Sequence, residues 1–124
     1  MKTLFLPSFL QSHYYQELGA ARAAYARQDE AGAFHHLERA HILGQRWALP
    51  HTHTHVLMLR HGWRMQNGRE VLGQMPRIVF GFFMSLFGRV PTGNTGGANV
   101  SPEQAMPIPA DLQALLAEAD AKGG

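Results

Sequence analysis

At 124 residues with no cysteine, a net charge of +2 and a charged fraction of 16% against a usual roughly 25%, the chain has the size of one domain and a lightly charged surface. The lack of cysteine excludes disulfides, thiolate metal sites, iron–sulfur clusters and a cysteine nucleophile, so any metal must be held by nitrogen and oxygen. The excess of arginine is spread along the chain rather than clustered, which argues against nucleic acid as a partner.

The N-terminal stretch MKTLFLPSFLQSHYY is broken at Pro7 and Ser8, too early for the apolar core of a signal peptide, and no small-residue cleavage site follows. The expectation is a cytoplasmic protein that starts as written. Ser8 and Gln11 have the S-x-x-Q form of a capping box and predict a first helix from Ser8 to about Arg27. Alanines at 20, 21, 23, 24 and 26 favour that helix and let a neighbour approach closely. Asp29 caps a second helix that Gly44 ends. Pro50 suits the first turn of a third, closing near Asn67-Gly68. A fourth starts around Arg69, and Pro76 must kink or restart it, because its ring displaces a backbone hydrogen bond.

The most apolar run, Ile78 to Phe87, falls well short of the roughly 20 residues that a transmembrane helix needs. Phe80, Phe82, Phe83, Met84 and Phe87 surround that helix too fully for a single amphipathic face. Burial in the core is the first expectation, and a homodimer contact through Phe80, Phe83 and Phe87 is the second. Residues 88–109 are rich in glycine and proline and are expected to form an irregular loop, with Val90, Pro91, Val100, Met106 and Ile108 packed down over the helices. Pro109 opens a last short helix over 110–121. The fold class is therefore all-α: a single domain, 1–124, built as a small bundle of about five helices.

Eight histidines are present, most of them between His35 and His61. Glu38 and His41 form Glu-x-x-His, an i, i+3 pair on one helix face, a spacing that supplies ligands in metal-binding bundles. His51 and His55, at i, i+4, share a face of the next helix. The short link from Gly44 to Leu49 enforces antiparallel packing of the two helices, which could gather these four side chains around one metal ion. The plainer alternative is that Glu38 pairs with Arg39, Arg22 or Arg27 on the surface and the histidines are solvated. His53 lies about 200° around the helix from His51 and is excluded from the same site. His35 and His61 read as surface residues and His36 lies off the stripe, while Glu17, with His13, faces the site from a third side. Imidazole and carboxylate suit zinc or iron first, with copper, nickel and manganese also compatible. A di-iron site lacks its second Glu-x-x-His.

The PTGNTGGANV loop, including Gly93 to Gly97, matches neither phosphate-binding glycine pattern, and no serine–histidine–aspartate arrangement has a recognisable context. Two resemblances complete the reading. AAYARQDEAGAFHHLERAHILGQ, with Ala21, Ala33, Leu37 and Ala40, resembles a tetratricopeptide hairpin. FHHLERAHILGQR, PHTHTH with VLMLR, and GRVPTGNTGG with MPIPADL together resemble an uncharacterised bacterial family, the domain of unknown function 3703, from about Leu18 to Leu116. That resemblance implies no activity, but Glu38, His41, His51 and His55 lie inside its most recognisable segments. The sequence thus reads as a transition-metal-binding helical protein, a metalloenzyme if a coordination position stays open. The rival is a tetratricopeptide-like peptide-binding adaptor without metal, and a third reading is a peripheral membrane protein docking through the phenylalanines. No small-molecule substrate is indicated.

Overall fold

The structure, a computed structural model, describes residues 3–123 and contains α1 (Ser8–Ala26), α2 (Glu30–Gly44), α3 (Ala48–Arg64), α4 (Gly68–Leu86) and α5 (Ala110–Ala121). No strand occurs among the described residues, and no helix there is long and apolar enough to cross a membrane.

The expected capping box at α1 does not form. Pro7 occupies the cap position in an extended conformation, and Ser8 is already inside the helix without a capping hydrogen bond. The Gln11 amide instead donates to the Leu6 carbonyl at 3.1 Å, tying the preceding chain to the first turn.

Two helical hairpins, α1–α2 and α3–α4, close with the same turn. In each, a glutamine takes a left-handed conformation (Gln28 at φ 62°, Gln66 at φ 53°), and the next residue donates its N–H back across the helix end, Asp29 to Ala24 and Asn67 to Gly62, both at 2.8 Å. That pairing satisfies carbonyls otherwise orphaned at a helix terminus. The Asp29 and Asn67 side chains then accept from Gly32 N and Glu70 N, opening the following helix. Asn67 is therefore the cap of α4 rather than the close of α3.

The second link packs α2 and α3 antiparallel. Gly44, at the end of α2, lies against Pro50 near the start of α3, while Arg64 at the far end of α3 bonds Glu30 at the start of α2 at 2.9 Å. The hydrophobic core lies on the other side of α2, where Leu10, Tyr14 and Leu18 of α1 meet Leu37, Ala40 and Leu43 of α2 and Leu112 and Leu116 of α5. Each fully enclosed leucine there contributes about 1.5–3 kcal/mol of burial. Ion pairs of Arg39 with Asp111 and of Arg46 with Asp120 fix α5 along α2.

Helix α4 overturns one expectation and narrows another. It does not restart at Pro76 but runs as one helix through it, held along its length against α3. Its apolar side also faces outward: Phe80, Phe83 and Phe87 are 64%, 49% and 71% exposed, with Leu72, Met75 and Val79 beside them. The buried residues of α4 are instead Glu70, Gln74, Gly81 and Ser85. The reason lies in its partner. The face α3 presents to α4 carries His51 and His55, which meet Ser85 and Gln74, and buried polar groups must find hydrogen-bond partners, so α4 turns its polar side inward.

Residues 89–109 carry no helix or strand and cross the α2–α3–α4 side of the bundle. Gln45 grips this segment twice, donating to Pro91 O at 3.1 Å and accepting from Gly93 N at 2.8 Å. Asn94 is buried and closes the turn on itself: its amide donates to Ser101 O and Gln104 O, and its carbonyl accepts from Gly96 N. Val90, Pro91, Val100, Met106 and Ile108 are half-buried.

Candidate metal centre

His41 of α2 and His51 and His55 of α3 converge at the junction of α2, α3, α4 and the crossing segment. All three are buried, at 2%, 3% and 3% exposure, and their ring centroids lie 4.7 to 4.8 Å apart. His51 and His55 share a face because they are one turn apart on α3, and the antiparallel link brings His41 opposite them. The nitrogens that face inward are the Nε2 atoms: His55 to His51 is 3.0 Å and His55 to His41 is 3.2 Å.

The other nitrogen of each ring is committed elsewhere, and this fixes the tautomers. His41 Nδ1 lies 2.8 Å from the Asn94 carbonyl oxygen, which can only accept. His55 Nδ1 lies 2.7 Å from Gln74 Oε1, whose amide orientation is set because Gln74 Nε2 donates to Glu70 Oε2 and to Gly96 O. His51 Nδ1 lies 2.6 Å from Ser85 Oγ, and the single hydroxyl proton of Ser85 is given to Gln45 O at 2.5 Å. Each imidazole therefore donates through Nδ1, and each neutral ring has no proton left for Nε2. Three bare lone pairs meet among buried rings.

Protonation does not relieve that meeting near neutral pH. Burial, with His51 and His55 alongside, holds His41 well below the ordinary histidine range. Burial first and His55 second lower His51 to about 3, and burial lowers His55 to about 4. The three rings are neutral ligands sharing one focus, and their inward nitrogens all lie within 4.8 Å of one another. Four-coordinate zinc with nitrogen ligands at about 2.0–2.1 Å places neighbouring donors about 3.3 Å apart, close to the two short separations.

Two glycines make room for the rings. A Cβ on Gly81 would stand 3.1 Å from both His51 Cε1 and His55 Cδ2, and one on Gly96, at φ +88°, would stand 2.6 Å from His41 Cδ2. Beyond the inward nitrogens the site opens into a cavity of about 470 Å³ walled by Pro76, Phe80, Met84, Pro91 and Pro102, with Arg77, Arg89 and Glu103 also lining it.

The remaining sequence candidates lie elsewhere. Glu38 is not drawn into the cluster: its half-buried carboxylate is 3.9 Å from His35 Nδ1, and burial together with the nearby Glu70 raises its pKa. Glu17 is taken by His36 and Arg39 at 2.9 and 3.0 Å. His13 packs on Phe9, and His53 meets the Tyr14 hydroxyl at 3.0 Å. His61 is not a free surface residue: it lies 2.6 Å from the Tyr25 hydroxyl and packs against Phe34. Sequence reasoning missed Gln74, Gly81 and Ser85. Their signal was present, since spacings of seven and four put a polar and small stripe on one face of an otherwise aromatic helix.

A family model described as "Protein of unknown function (DUF3703)" matches residues 8–116, a span that includes all three clustered histidines. No curated protein and no solved structure matches the chain.

Proposed function

We propose that this chain, which belongs to the DUF3703 family, is a cytoplasmic transition-metal-binding protein whose ligands are Nε2 of His41, His51 and His55. One observation carries the reading: three buried imidazoles turn their Nε2 atoms to a common point, each with its Nδ1 within 2.6 to 2.8 Å of a separate oxygen that can take the ring proton. Holding the distal N–H in this way is how proteins set the tautomer and raise the basicity of metal-ligating histidines. Without a cation, three desolvated lone pairs repel; with one, the same arrangement is a tripod. Zinc and iron(II) fit this all-nitrogen set best, and Glu38 stays outside it.

The tripod leaves coordination positions toward the apolar cavity, which is the pattern of catalytic rather than closed structural sites. A divalent metal held there supplies Lewis acidity and lowers the pKa of a bound water toward about 7. The chain's own contribution is to exclude solvent with Phe80, Met84 and Pro91 and to hold the three rings rigid.

The test is elemental analysis of protein purified without an affinity tag, followed by melts with zinc, iron(II), copper(II) or nickel at pH 7.5. A metal at about a hundred times its dissociation constant adds roughly 2.7 kcal/mol of apparent stability. If no metal co-purifies and none shifts the melt, the reading fails and the peptide-binding adaptor takes its place.

The exposed apolar face of α4 supports a second proposal, that two copies associate through Phe80, Phe83 and Phe87. The face is rich in aromatic side chains, and α4 carries two arginines and no basic cluster, a composition that favours a protein contact over an anionic lipid surface. Sedimentation of wild type and Phe83→Asp tests it: a dimer that becomes monomeric supports the proposal, and a monomeric wild type at micromolar concentration rejects it.

A further inference from the structure

The cavity in front of the histidines has a charge imbalance that points to its occupant. Three neutral imidazoles bring no negative charge, unlike a site with a carboxylate ligand, so a divalent cation held there keeps its full charge. Arg77 lines the same cavity and acts electrostatically on both His41 and His55. Its guanidinium is fixed in place by the carbonyls of Gly73 at 2.7 Å and Val100 at 2.8 Å, and its enclosed Nε–H has no acceptor. Arg89 adds a second cation to the lining. Of the two carboxylates nearby, Glu70 acts electrostatically on Arg77 while accepting from Gln74 Nε2 and Ala98 N, and Glu103 is exposed at the mouth. With a divalent ion in place, the ion, Arg77 and Arg89 outweigh the charges of Glu70 and Glu103, and that excess positive charge calls for an anion. The remaining walls, Pro76, Phe80, Met84, Pro91 and Pro102, offer almost nothing polar, and a volume of about 470 Å³ suits a small organic molecule.

We propose that the cavity binds an apolar monocarboxylate, with the carboxylate between the histidine-held metal and Arg77 and the hydrocarbon part against Phe80, Met84 and Pro91. The proposal rests on the metal reading above. Both oxygens of the headgroup find a cation, and the tail finds a wall without donors or acceptors to leave unpaired. A polyanion such as a nucleotide does not match these walls, because most of its polar surface would be desolvated without partners.

The experiment is calorimetric titration of zinc-loaded protein, its metal content first verified by elemental analysis, with octanoate and with its neutral counterpart octanamide. Octanoate is expected to bind at least about tenfold more tightly than octanamide in wild type. Metal-free protein should lose most of that preference. Arg77→Gln, with its zinc loading verified in the same way, should weaken octanoate at least about tenfold while leaving octanamide binding unchanged. Because Arg77 also braces the crossing segment, Arg77→Lys serves as a second variant, keeping the charge and expected to retain octanoate binding. Equal affinity for the acid and the amide in zinc-loaded wild type, or no binding of either, overturns the carboxylate proposal and leaves the metal reading standing. Failure to load zinc, iron(II), copper(II) or nickel at the first step overturns both.

Discussion

The Nε2 atoms of His51 and His55 lie 3.0 Å apart, while the ring protons of both residues point the other way, to Ser85 Oγ and Gln74 Oε1. A hydrogen bond between the two Nε2 atoms would need a third proton, and their lowered pKa values, about 3 and about 4, deny it near neutrality. A metal ion satisfies both nitrogens at once. The expected outcome is about one ion per chain by elemental analysis. His41→Ala and His55→Ala should each abolish most of the metal-induced rise in melting temperature. His53→Ala should leave it nearly intact, because that ring meets the Tyr14 hydroxyl instead. Comparing melts with and without metal for each variant separates lost ligation from lost packing. Equal losses in His53→Ala and His41→Ala would sink the assignment.

Much of this centre is legible in the sequence, and the part that is not has physical reasons. The His51–His55 pair follows from helical spacing alone, and the short Gly44–Leu49 link implies that His41 comes to meet it. Glu38 shows the limit of that logic: an i, i+3 pair shares a face only loosely, and α2 is turned so that His41 is buried while Glu38 stays at the edge of the interface. The acceptor for His41 is a backbone carbonyl of Asn94, which no side-chain pattern reveals and which depends on the path of the crossing segment. The phenylalanines of α4 invite a core reading because apolar residues usually turn inward. Here the polar face of α3 decided the orientation, and Gln74 and Ser85 went in while Phe80, Phe83 and Phe87 went out.

Gly96 and Gly88 form a matched pair for testing the wall behind His41. Both have positive φ, +88° and +72°, so alanine strains the backbone at either position. Only at Gly96 would the new methyl collide, 2.6 Å from His41 Cδ2; at Gly88 nothing lies within 4 Å. Each substitution is expected to cost about 1–3 kcal/mol of stability in chemical denaturation. Gly96→Ala should in addition weaken metal binding, and Gly88→Ala should not. Unchanged metal affinity in Gly96→Ala would show that His41 is not held where the structure places it.

Gln74 tests the outer layer of the site. It orients His55 through Oε1 and gives its two amide protons to Glu70 and the Gly96 carbonyl, so one side chain ties α3, α4 and the crossing segment together. Gln74→Leu keeps similar bulk and removes all three bonds. Loss of a partner to a ligating histidine is expected to lower metal affinity about 10–100-fold. Competition with a chromogenic chelator measures this directly, and an affinity equal to wild type would mean that His55 needs no orienting partner.

The pH dependence of the metal-free protein reports on the same three rings, with a definite sign. A histidine buried as the neutral form binds its proton more weakly folded than unfolded, so the unfolded chain carries more protons between the two pKa values and stability rises with pH there. The contribution is complete above the unfolded value of about 6.5 and is lost as pH falls toward the folded values. For His51 and His55, lowered to about 3 and about 4, the loss between pH 7.5 and pH 5 comes to about 2 kcal/mol each. His41 adds to it in the same direction. Protons and metal compete for the same Nε2 lone pairs only where the folded rings begin to protonate, near pH 4 and below, so acid releases the ion there rather than at pH 5. Denaturant titrations at pH 7.5, 6 and 5, with and without zinc, should show stability falling at each step. The gain from zinc should be nearly the same at pH 7.5 and pH 5, because the folded rings are still neutral at pH 5, and should fall only as pH approaches about 4. A metal-free protein as stable at pH 5 as at pH 7.5 would mean that the three rings are not buried neutral, and the tripod would lose its electrostatic basis.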